Sequence, residues 1–483
     1  MKTKIDIISK LPNEATLKKS KHHLIIVDLK TSQFPFEAIL KNKLKRLGKK
    51  IDDLTKNPIT SELDNGSIIS WVACDNDLSV FKIHTLLRKS LAVLVKENPA
   101  EIVISFFGSA NNNQWIESST YVALANSQSL PDLKKSAKKT ILKRLCLMGI
   151  SKRTLSKTIA AVNGNTLTRN LTITPPNQLT PTLYKSRIKK LAKQHKWVYK
   201  DFSMAQLKKM GAGAFVAVGQ GSEPQDAAIV HLKYSGKGAK KTISLVGKGI
   251  CFDTGGHNLK PAKYMSGMHE DMNGSAVALG ILQAASESKL PINIDCWLAI
   301  AQNHIGPKAY KQNDVVYALN GLSIEIVHTD AEGRMVLADT LTLASRKKPH
   351  AIIDFATLTG CMHVAMGDRY SGVISNKPEL ASMAIGAGAA SGERVASFPY
   401  DEDYEEDLRS QIADIKQCTL EGGPDHIHAA RFLGRFIEND TPWLHVDLSS
   451  SNRKGGLGAI SSDVNGFGVN FGISMLQNFI NKS

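Results

Sequence analysis

Short apolar runs alternate with segments of helical periodicity along most of this chain. In the first third, residues 23–27 and 101–107 are largely apolar runs typical of buried strands, and residues 81–95 repeat their apolar positions at helical spacing. Strands that alternate with helices predict a small α/β domain here. Residues 150–170 also have a helical pattern, centred on residues 156–161, and we expect this helix to connect two domains.

The remainder of the chain shows the same alternation after a Thr-Pro-Pro-Asn turn at residues 174–177. Its strand-like runs are residues 213–218, 228–234, 242–252, 293–300, 322–327, 351–356 and 443–448. Such runs, separated by helical segments, predict a mostly parallel sheet covered by helices. Because 483 residues exceed a single core, the expected fold is α/β with two domains. These are a smaller α/β domain (1–150), a linker helix (151–170) and a larger domain with a mostly parallel central sheet (171–483).

Positive charge is concentrated in the N-terminal third. The formal net charge is +17, and residues 1–170 contain 28 Lys and Arg against 14 Asp and Glu, an excess of +14. Lysine-rich runs at residues 41–46 and 134–139 suit a nucleic acid or another polyanion. Lysine runs without interleaved aromatic residues are also common on solvated helix faces, so both interpretations stay open.

The N-terminal sequence MKTKIDIISKLPNE lacks the apolar core of a signal peptide. No stretch approaches the roughly 18 uninterrupted apolar residues that a membrane span needs. The six cysteines are scattered without a CxxC pair, which favours reduced thiols. We therefore expect a cytoplasmic protein with no membrane partner.

A first candidate site is the stretch His-Thr-Asp-Ala-Glu-Gly-Arg at residues 328–334, where a β-branched run gives way to a helical one. Ligand sites of open α/β sheets form at such corners. Asp330 and Glu332 suit a hard divalent cation, and Arg334 can hold an anion with its planar guanidinium. A solvated turn with incidental acids is the alternative that this stretch alone leaves open.

A second stretch, residues 242–256, is an apolar run that enters a glycine-rich turn and carries Lys248 and Asp253. Lys260 follows, and Asp271 precedes an apolar helical segment. The Gly-Lys-Gly within this stretch is not a phosphate-binding loop, because the order GxxxxGK[ST] is absent. Acids and lysines therefore cluster near the ends of predicted elements.

Together, the blocks VGKGICFDTGG, NLKP, EDM and HTDAEGR resemble the signature of the leucyl aminopeptidase (cytosol aminopeptidase) family of two-metal peptidases. TPPNQLTP, TLTG and GFGV, further along the chain, are similar to family segments as well. The resemblance covers about residues 165–483, and the first 160 residues carry no matching motif. It implies that the larger domain is a catalytic metallopeptidase domain.

The resemblance also implies two divalent ions, Mn²⁺ or Zn²⁺, at one site. One ion would be held by Asp253, Asp330 and Glu332, and the other by Lys248, Asp253, Asp271 and Glu332. Crowded carboxylates need cations to relieve their mutual repulsion. A lysine can be a ligand only as the neutral amine, and adjacent cations lower its pKa enough to allow this.

In such an enzyme a metal-activated water removes the N-terminal residue, here expected to be apolar and leucine-like, from peptides. Lys260 would stabilise the oxyanion of the tetrahedral intermediate, and Arg334 would hold a bicarbonate ion that shuttles a proton. The substrate-binding positions implied are Met268, His328, Thr357, Leu358 and Gly360. The family resemblance further implies a homohexamer of paired trimers.

The sequence departs from the usual family pattern at a few positions. His328 stands where Asn is usual, His269 where Lys is usual, Ser266 where Asp is usual, and Ser449-Ser450 where Ala-Gly is usual. These departures bear on substrate preference and metal affinity more than on the reaction. We expect His328 to be neutral and to hydrogen-bond substrate or a ligand carboxylate rather than a metal.

A different class of function stays open: a nucleic-acid-binding regulator that uses the basic N-terminal domain and has secondary peptidase activity. Retention of all seven metal and catalytic residues favours the enzyme, because a pure binder has no use for Lys260 together with Arg334.

Overall fold

A computed structural model describes residues 3–31, 33–135 and 142–481. The chain divides into two compact units. The first comprises Met1–Thr166, Ala389–Gly392 and Arg453–Asn465, and the second comprises Leu167–Gly388, Glu393–Asn452 and Gly466–Ser483. The lysines at positions 138 and 139 lie outside the described residues. In the described ranges, none of the helices has both the length and the apolar character that crossing a bilayer requires.

The first unit is a small α/β layer structure. Its described strands are β1 (Lys4–Ile8), β2 (His22–Asp28), β3 (Ile59–Glu62), β4 (Ile68–Cys74), β5 (Glu101–Phe106) and β6 (Arg144–Met148). Its described helices are α1 (Glu14–Leu17), α2 (Glu37–Arg46), α3 (Val80–Val95) and α4 (Asn113–Asn126), followed by α5 (Ser156–Ile173), which ends in the second unit. The strand order is β1-β6-β5-β2-β4-β3, with all neighbours parallel except β3 and β4. The predicted strands at residues 23–27 and 101–107 and the predicted helix at residues 81–95 are confirmed.

The elements of the second unit follow α5 along the chain. The strands are β7 (Val198–Ser203), β8 (Ala228–Tyr234), β9 (Thr242–Asp253), β10 (Asn293–Asn303), β11 (Val315–Tyr317), β12 (Ser323–Glu325), β13 (Ala351–Ala356), β14 (Ser371–Ser375), β15 (Val395–Ser397), β16 (Ile415–Lys416) and β17 (Trp443–Asp447). The helices are α6 (Pro181–His195), α7 (Met204–Met210), α8 (Gly213–Gly219), α9 (Ala262–Met265), α10 (Asn273–Glu287), α11 (Glu332–Ser345), α12 (Gly360–Met366), α13 (Pro378–Ser391), α14 (Asp425–Gly434) and α15 (Val469–Asn481).

The central sheet of the second unit has the order β15-β14-β17-β13-β9-β10-β8-β7. Its middle strands β17, β13, β9 and β10 are parallel, while β8 and β7 on one side and β14 beside β17 pair antiparallel. The expected α/β fold with a parallel-rich sheet is confirmed. From β9 the chain runs through α10 to β10 on one side, and it later places β13 on the other side. This change of direction at β9 creates a crevice at the carboxyl ends of the strands, where ligands bind in open sheets.

Helices cover both faces of this sheet because β9 is apolar on both faces. Ile243 and Leu245 pack into one core with residues of α10, α6 and α15. Val246 and Ile250 pack into the opposite core with residues of α11, α8 and α14. A strand buried on both faces is a continuous apolar run rather than an alternating one, which is the pattern of residues 242–252.

Two of the strand predictions need correction. Residues 213–218, predicted as a strand, form α8, because a short apolar run fits a buried helix equally well and tertiary contacts decide. The carboxylate of Asp339 accepts a hydrogen bond from the Phe215 backbone N–H at 2.8 Å and so secures the first turn of α8. Residues 322–327 contain the strand β12, but it pairs with β11 and β16 in a separate small sheet rather than in the central one.

Candidate active site

The residues singled out from the sequence come together in the second unit, at the carboxyl edge of the central sheet. They line one cavity of about 800 Å³. The predicted residues on its wall are Lys248, Asp253, Lys260, Met268, Asp271, His328, Asp330, Glu332, Arg334, Thr357, Leu358 and Gly360. They belong to separate stretches of chain, so the fold, rather than local sequence, assembles the cavity.

Strand and helix ends place the carboxylates. Asp253 is the last residue of β9, Asp271 lies two residues before α10, and Glu332 is the first residue of α11. Helix N-termini carry partial positive charge, which favours carboxylates there. The backbones also approach closely at the start of α10, where a Cβ on Gly274 would overlap the Phe355 carbonyl of β13.

Lys248 projects from β9 into the acidic cluster. Its Nζ lies 2.9 Å from Asp271 Oδ2 and 3.0 Å from Glu332 Oε1, and it donates a hydrogen bond to the Thr357 carbonyl at 2.9 Å. A Cβ on Gly333 would lie 2.7 Å from this Nζ, so glycine at position 333 gives the ammonium group its space. Lys248 thus joins β9 to the start of α11 and to the turn after β13.

Lys260, like Lys248, forms ion pairs with two carboxylates of the cluster. Its Nζ lies 3.0 Å from Asp253 Oδ2 and 2.5 Å from Asp330 Oδ1. Its backbone N–H donates to the Thr254 carbonyl at 2.9 Å, which fixes the loop that carries it. The two lysines therefore offset part of the negative charge of four carboxylates.

Three of these carboxylates are arranged as a metal site would require. Oxygens of Asp253, Asp330 and Glu332 lie within 4.8 Å of one another. Glu332 Oε2 is buried and has no hydrogen-bond partner among the described residues. Oxygen donors of this kind suit divalent cations such as Mn²⁺. The residues present therefore fit a divalent ion, and this set is one of the two ligand sets that the resemblance implies.

The pKa shifts in the cluster also favour the binding of a cation. Burial, reinforced by the neighbouring carboxylate of Asp253, raises the pKa of Glu332 to about 8. Burial also raises the pKa of Asp271 to about 6, although Lys248 opposes this shift. Burial alone would lower the pKa of Lys248, but Asp271 and Glu332 more than offset it and raise that pKa. The cluster holds more negative charge than its lysines neutralise, and added cations would relieve the excess.

Sequence reasoning missed the residues that hold Asp253 and the turn before Asp330. Asn303, at the end of β10, donates from Nδ2 to Asp253 Oδ1 at 2.8 Å and to the Thr329 carbonyl at 3.0 Å. The Tyr310 hydroxyl donates to the same carbonyl at 2.7 Å. The available signal was a polar residue three positions after the predicted strand at residues 293–300, which in the structure extends to Asn303 as β10.

Gln417 is a second missed residue, and it holds the same turn from the other side. Its Oε1 accepts from the backbone N–H groups of Val327 and His328, each at 3.2 Å. Its Nε2 donates to the Ala331 carbonyl at 3.0 Å. It follows the two-residue strand β16, which is too short to give a periodic signal.

Asp447, at the end of β17, supports the turn that carries the predicted substrate-binding positions. Its carboxylate accepts from the backbone N–H groups of Leu358 and Thr359 at 3.1 and 3.3 Å, and from Thr359 Oγ1 at 2.6 Å. Thr357 Oγ1 donates to Asp271 Oδ1 at 2.8 Å, so this hydroxyl contacts the acidic cluster.

His328 lines the cavity, and one of its ring nitrogens is bonded to the backbone. Its Nδ1 accepts from the backbone N–H of Asp330 at 3.2 Å, rather than pairing with a carboxylate. The ring nitrogen Nδ1 is therefore engaged by the chain itself, and Nε2 is the ring nitrogen left for other partners.

Arg334 is already paired. Its Nη2 lies 2.8 and 2.9 Å from the two carboxylate oxygens of Asp425, and its Nη1 donates to the Gln417 carbonyl at 3.1 Å. A carboxylate of the chain thus occupies Nη2 of the arginine at which the resemblance implies a bicarbonate ion. Asp425 was not among the predicted site residues, although it also lines the cavity.

Comparison with known proteins identifies relatives along most of the chain. A probable cytosol aminopeptidase of Pseudomonas fluorescens (strain SBW25) is 41% identical over 326 residues, which are 66% of this chain and 65% of that protein. The chain thus spans slightly less than two thirds of that curated relative. A probable cytosol aminopeptidase of Polaromonas sp. (strain JS666 / ATCC BAA-500) is 34% identical over 389 residues, 79% of this chain and 76% of that protein.

A solved structure, the bottromycin maturation enzyme BotP in complex with Mn, resembles the fold of this chain. Its TM-score is 0.81 at 26% sequence identity, and the match covers 95% of this chain and 100% of BotP. The family model "Cytosol aminopeptidase family, catalytic domain" matches residues 166–472, the range that contains every residue of the cavity wall named above. The chain belongs to the cytosol aminopeptidase family.

Proposed function

We propose that this protein is a metallo-aminopeptidase that hydrolyses the N-terminal residue from peptides. One observation carries the proposal: oxygens of the buried Asp253 and Glu332 and of the half-buried Asp330 converge in a cavity that also contains Lys248 and Lys260. Family membership supports it. The cavity is large enough for the end of a peptide, and its convergent polar groups are typical of a catalytic site.

The proposed cofactors are two divalent ions, Mn²⁺ or Zn²⁺. Asp253, Asp330 and Glu332 would hold one ion, and Lys248, Asp253, Asp271 and Glu332 would hold the other. When bound, such a pair activates a water molecule and polarises the scissile carbonyl. The acidic cluster and the manganese in BotP support this assignment.

Lys260 is the proposed oxyanion donor. Its ammonium group lies against Asp253 and Asp330, and these carboxylates more than offset the effect of burial and raise its pKa. It therefore stays cationic at neutral pH and can donate to the oxygen that becomes negative during attack. Ion pairing with two proposed ligands keeps this donor beside the reacting carbonyl.

The proposed pocket for the N-terminal side chain is formed by Met268, Leu358 and Gly360, with Thr357 beside them. Because the Thr357 hydroxyl is bonded to Asp271, the groups left to contact substrate are largely apolar. This lining supports a preference for apolar, leucine-like residues. Specificity for a free α-amine would follow from its binding at the acidic cluster.

Three further expectations stay predictions. They are a homohexamer of paired trimers, a cytoplasmic location, and binding of nucleic acid or another polyanion by the basic N-terminal third. The charge excess of +14 in residues 1–170 is the only support for the last of these.

The proposed function is tested directly with a panel of aminoacyl-anilides on metal-stripped protein. We expect no turnover before reconstitution, and turnover with Mn²⁺ or Zn²⁺ that is fastest for apolar residues. N-acetylated substrates serve as the control, because they lack the free amine. Failure to cleave any free-amine substrate with either metal would refute the proposal.

Removing a proposed ligand should release metal. Asp330→Asn or Glu332→Ala removes one carboxylate from the proposed ligands. We therefore expect loss of hydrolysis and fewer than two bound ions per subunit, measured by elemental analysis. Asp403→Asn, at an exposed position, is the control. Near-normal turnover with two bound ions in either variant would contradict the ligand assignment.

Lys260→Ala should separate catalysis from metal binding. Removing one oxyanion donor typically lowers kcat on the order of 10²- to 10³-fold, and we expect this loss with both ions retained. Lys308→Ala, which removes an exposed lysine, should leave kcat unchanged. If Lys260→Ala instead lost an ion and recovered full kcat on reconstitution, the roles of Lys248 and Lys260 would have to be exchanged.

His328→Asn should give an active enzyme. The Asn side-chain oxygen can accept the backbone N–H two residues along, as in an Asx turn, and so replace the bond to Asp330. We expect two bound ions and an altered KM or side-chain preference, whereas His328→Ala, which removes the acceptor, should lose more activity. Substantial loss of metal in the Asn variant would show that His328 is itself a ligand.

A further inference from the structure

The pair formed by Arg334 and Asp425 places an additional carboxylate in the cavity. The Arg334 side chain is 3% exposed, whereas that of Asp425 is 33% exposed. Both residues line the cavity that contains the proposed metal ligands. The arginine is therefore the buried support of the pair, and the carboxylate is the member that solvent and substrate can reach.

Rigid elements fix the pair. Arg334 lies in the first turn of α11, two residues after Glu332, and Asp425 is the first residue of α14. The Gln417 carbonyl accepts from Arg334 Nη1 at 3.1 Å, and the Asp425 backbone N–H donates to the Gly423 carbonyl at 2.9 Å. The N-terminal end of α14 also favours a negative charge at this position. The carboxylate is thus held in place from both sides before any substrate binds.

We propose that Asp425 supplies from the chain itself the anion that an external bicarbonate would otherwise provide at Arg334, and that it acts as the acid-base group of the reaction. The proposal rests on the proposed aminopeptidase function. A carboxylate presents the same pair of acceptor oxygens as bicarbonate, and Nη2 of Arg334 contacts both of them.

The chemical step is balanced. Asp425 accepts a proton from the attacking water as the oxygen of that water bonds to the scissile carbonyl carbon. The carbon–nitrogen bond then breaks, and the protonated Asp425 gives this proton to the leaving nitrogen. The products are the free amino acid and the shortened peptide, the carboxylate is regenerated, and no oxidant or reductant is needed.

One further donor of Arg334 defines the competing arrangement, in which an external anion binds the guanidinium. Its Nε is buried and has no hydrogen-bond partner within the described ranges. An external anion that reached this nitrogen would contact the guanidinium without displacing Asp425. Bicarbonate binding to the wild-type protein would therefore overturn the proposal.

The kinetic test compares metal-loaded wild type with Asp425→Ala and Asp425→Asn in bicarbonate-depleted buffer. We expect wild-type kcat to be indifferent to added bicarbonate, formate or acetate. Loss of an acid-base group should lower kcat of the Ala variant on the order of 10²- to 10³-fold. Each small anion should restore part of that loss, and more basic anions should restore more. The Asn variant should be equally slow but not restored, because its amide fills the same space.

Glu438→Ala is the matched control, because it breaks another pair between an arginine and a carboxylate, with Arg346 Nε and Nη2 at 2.9 and 3.0 Å from the Glu438 oxygens. That pair does not line the cavity. We expect unchanged kcat and no response to anions. Anion rescue in this control would show that rescue is not specific to the site and would overturn the proposal.

A binding test does not depend on turnover. With metal-free protein, NMR of ¹³C-formate should detect a bound anion in Asp425→Ala and none in wild type or in Asp425→Asn. Full kcat in both Asp425 variants, or formate binding to wild type, would overturn the proposal.

If wild type cleaves no peptide but the binding pattern holds, the proposed function fails while the assignment of Asp425 as the built-in anion stands. If the Ala variant does not fold, the near-isosteric Asn variant and the response of wild type to bicarbonate still decide.

Discussion

Buried negative charge is the constraint on which the rest of this site depends. Isolated carboxylates are expensive to remove from water, and four of them meet at the carboxyl edge of the central sheet. Two lysines pair with them, and two helix N-termini face them. Burial and mutual repulsion nevertheless raise the pKa of Asp271 and Glu332. The two lysines do not neutralise the negative charge of the four carboxylates. The cluster therefore favours binding of further positive charge, which is why divalent ions suit it.

Holding these charges together requires backbones that approach closely and loops that are fixed by hydrogen bonds. Glycine at position 333 lets the Lys248 ammonium lie against the start of α11, and glycine at position 274 lets α10 pack onto the end of β13. The Asn303 side-chain amide donates to the Thr329 carbonyl, and the Gln417 side-chain oxygen accepts from the backbone N–H groups of Val327 and His328, so both hold the turn before Asp330. The carboxylates proposed as ligands are therefore positioned by groups remote in sequence, as a preorganised site requires.

The site residues that could be predicted from the sequence are those that lie together in short stretches of chain. Lys248 and Asp253 belong to one apolar strand, and Asp330, Glu332 and Arg334 to one short stretch at the start of α11, so each group was visible as a block. The supporting residues were not, because their partners lie far away along the chain. Gln417 follows a two-residue strand, and Asp425 begins a helix whose first turn carries no familiar motif. The same limit explains residues 213–218: a six-residue apolar run fits a strand or a helix, and its contact with Asp339 decides.

Pairing Arg334 with a carboxylate of the chain changes what the site depends on. A freely diffusing anion must be captured in each cycle, whereas a tethered carboxylate is already oriented, which removes an entropic cost from the reaction. In exchange, its orientation depends on how α14 packs against α11 and on the Gln417 carbonyl. The segment between Gln417 and Asp425 also supplies Cys418, Thr419, Leu420 and Gly422 to the cavity wall. One short segment thus connects the turn that carries Asp330, the pocket lining and the proposed acid-base group, so substitutions along it should alter substrate selection and proton transfer together.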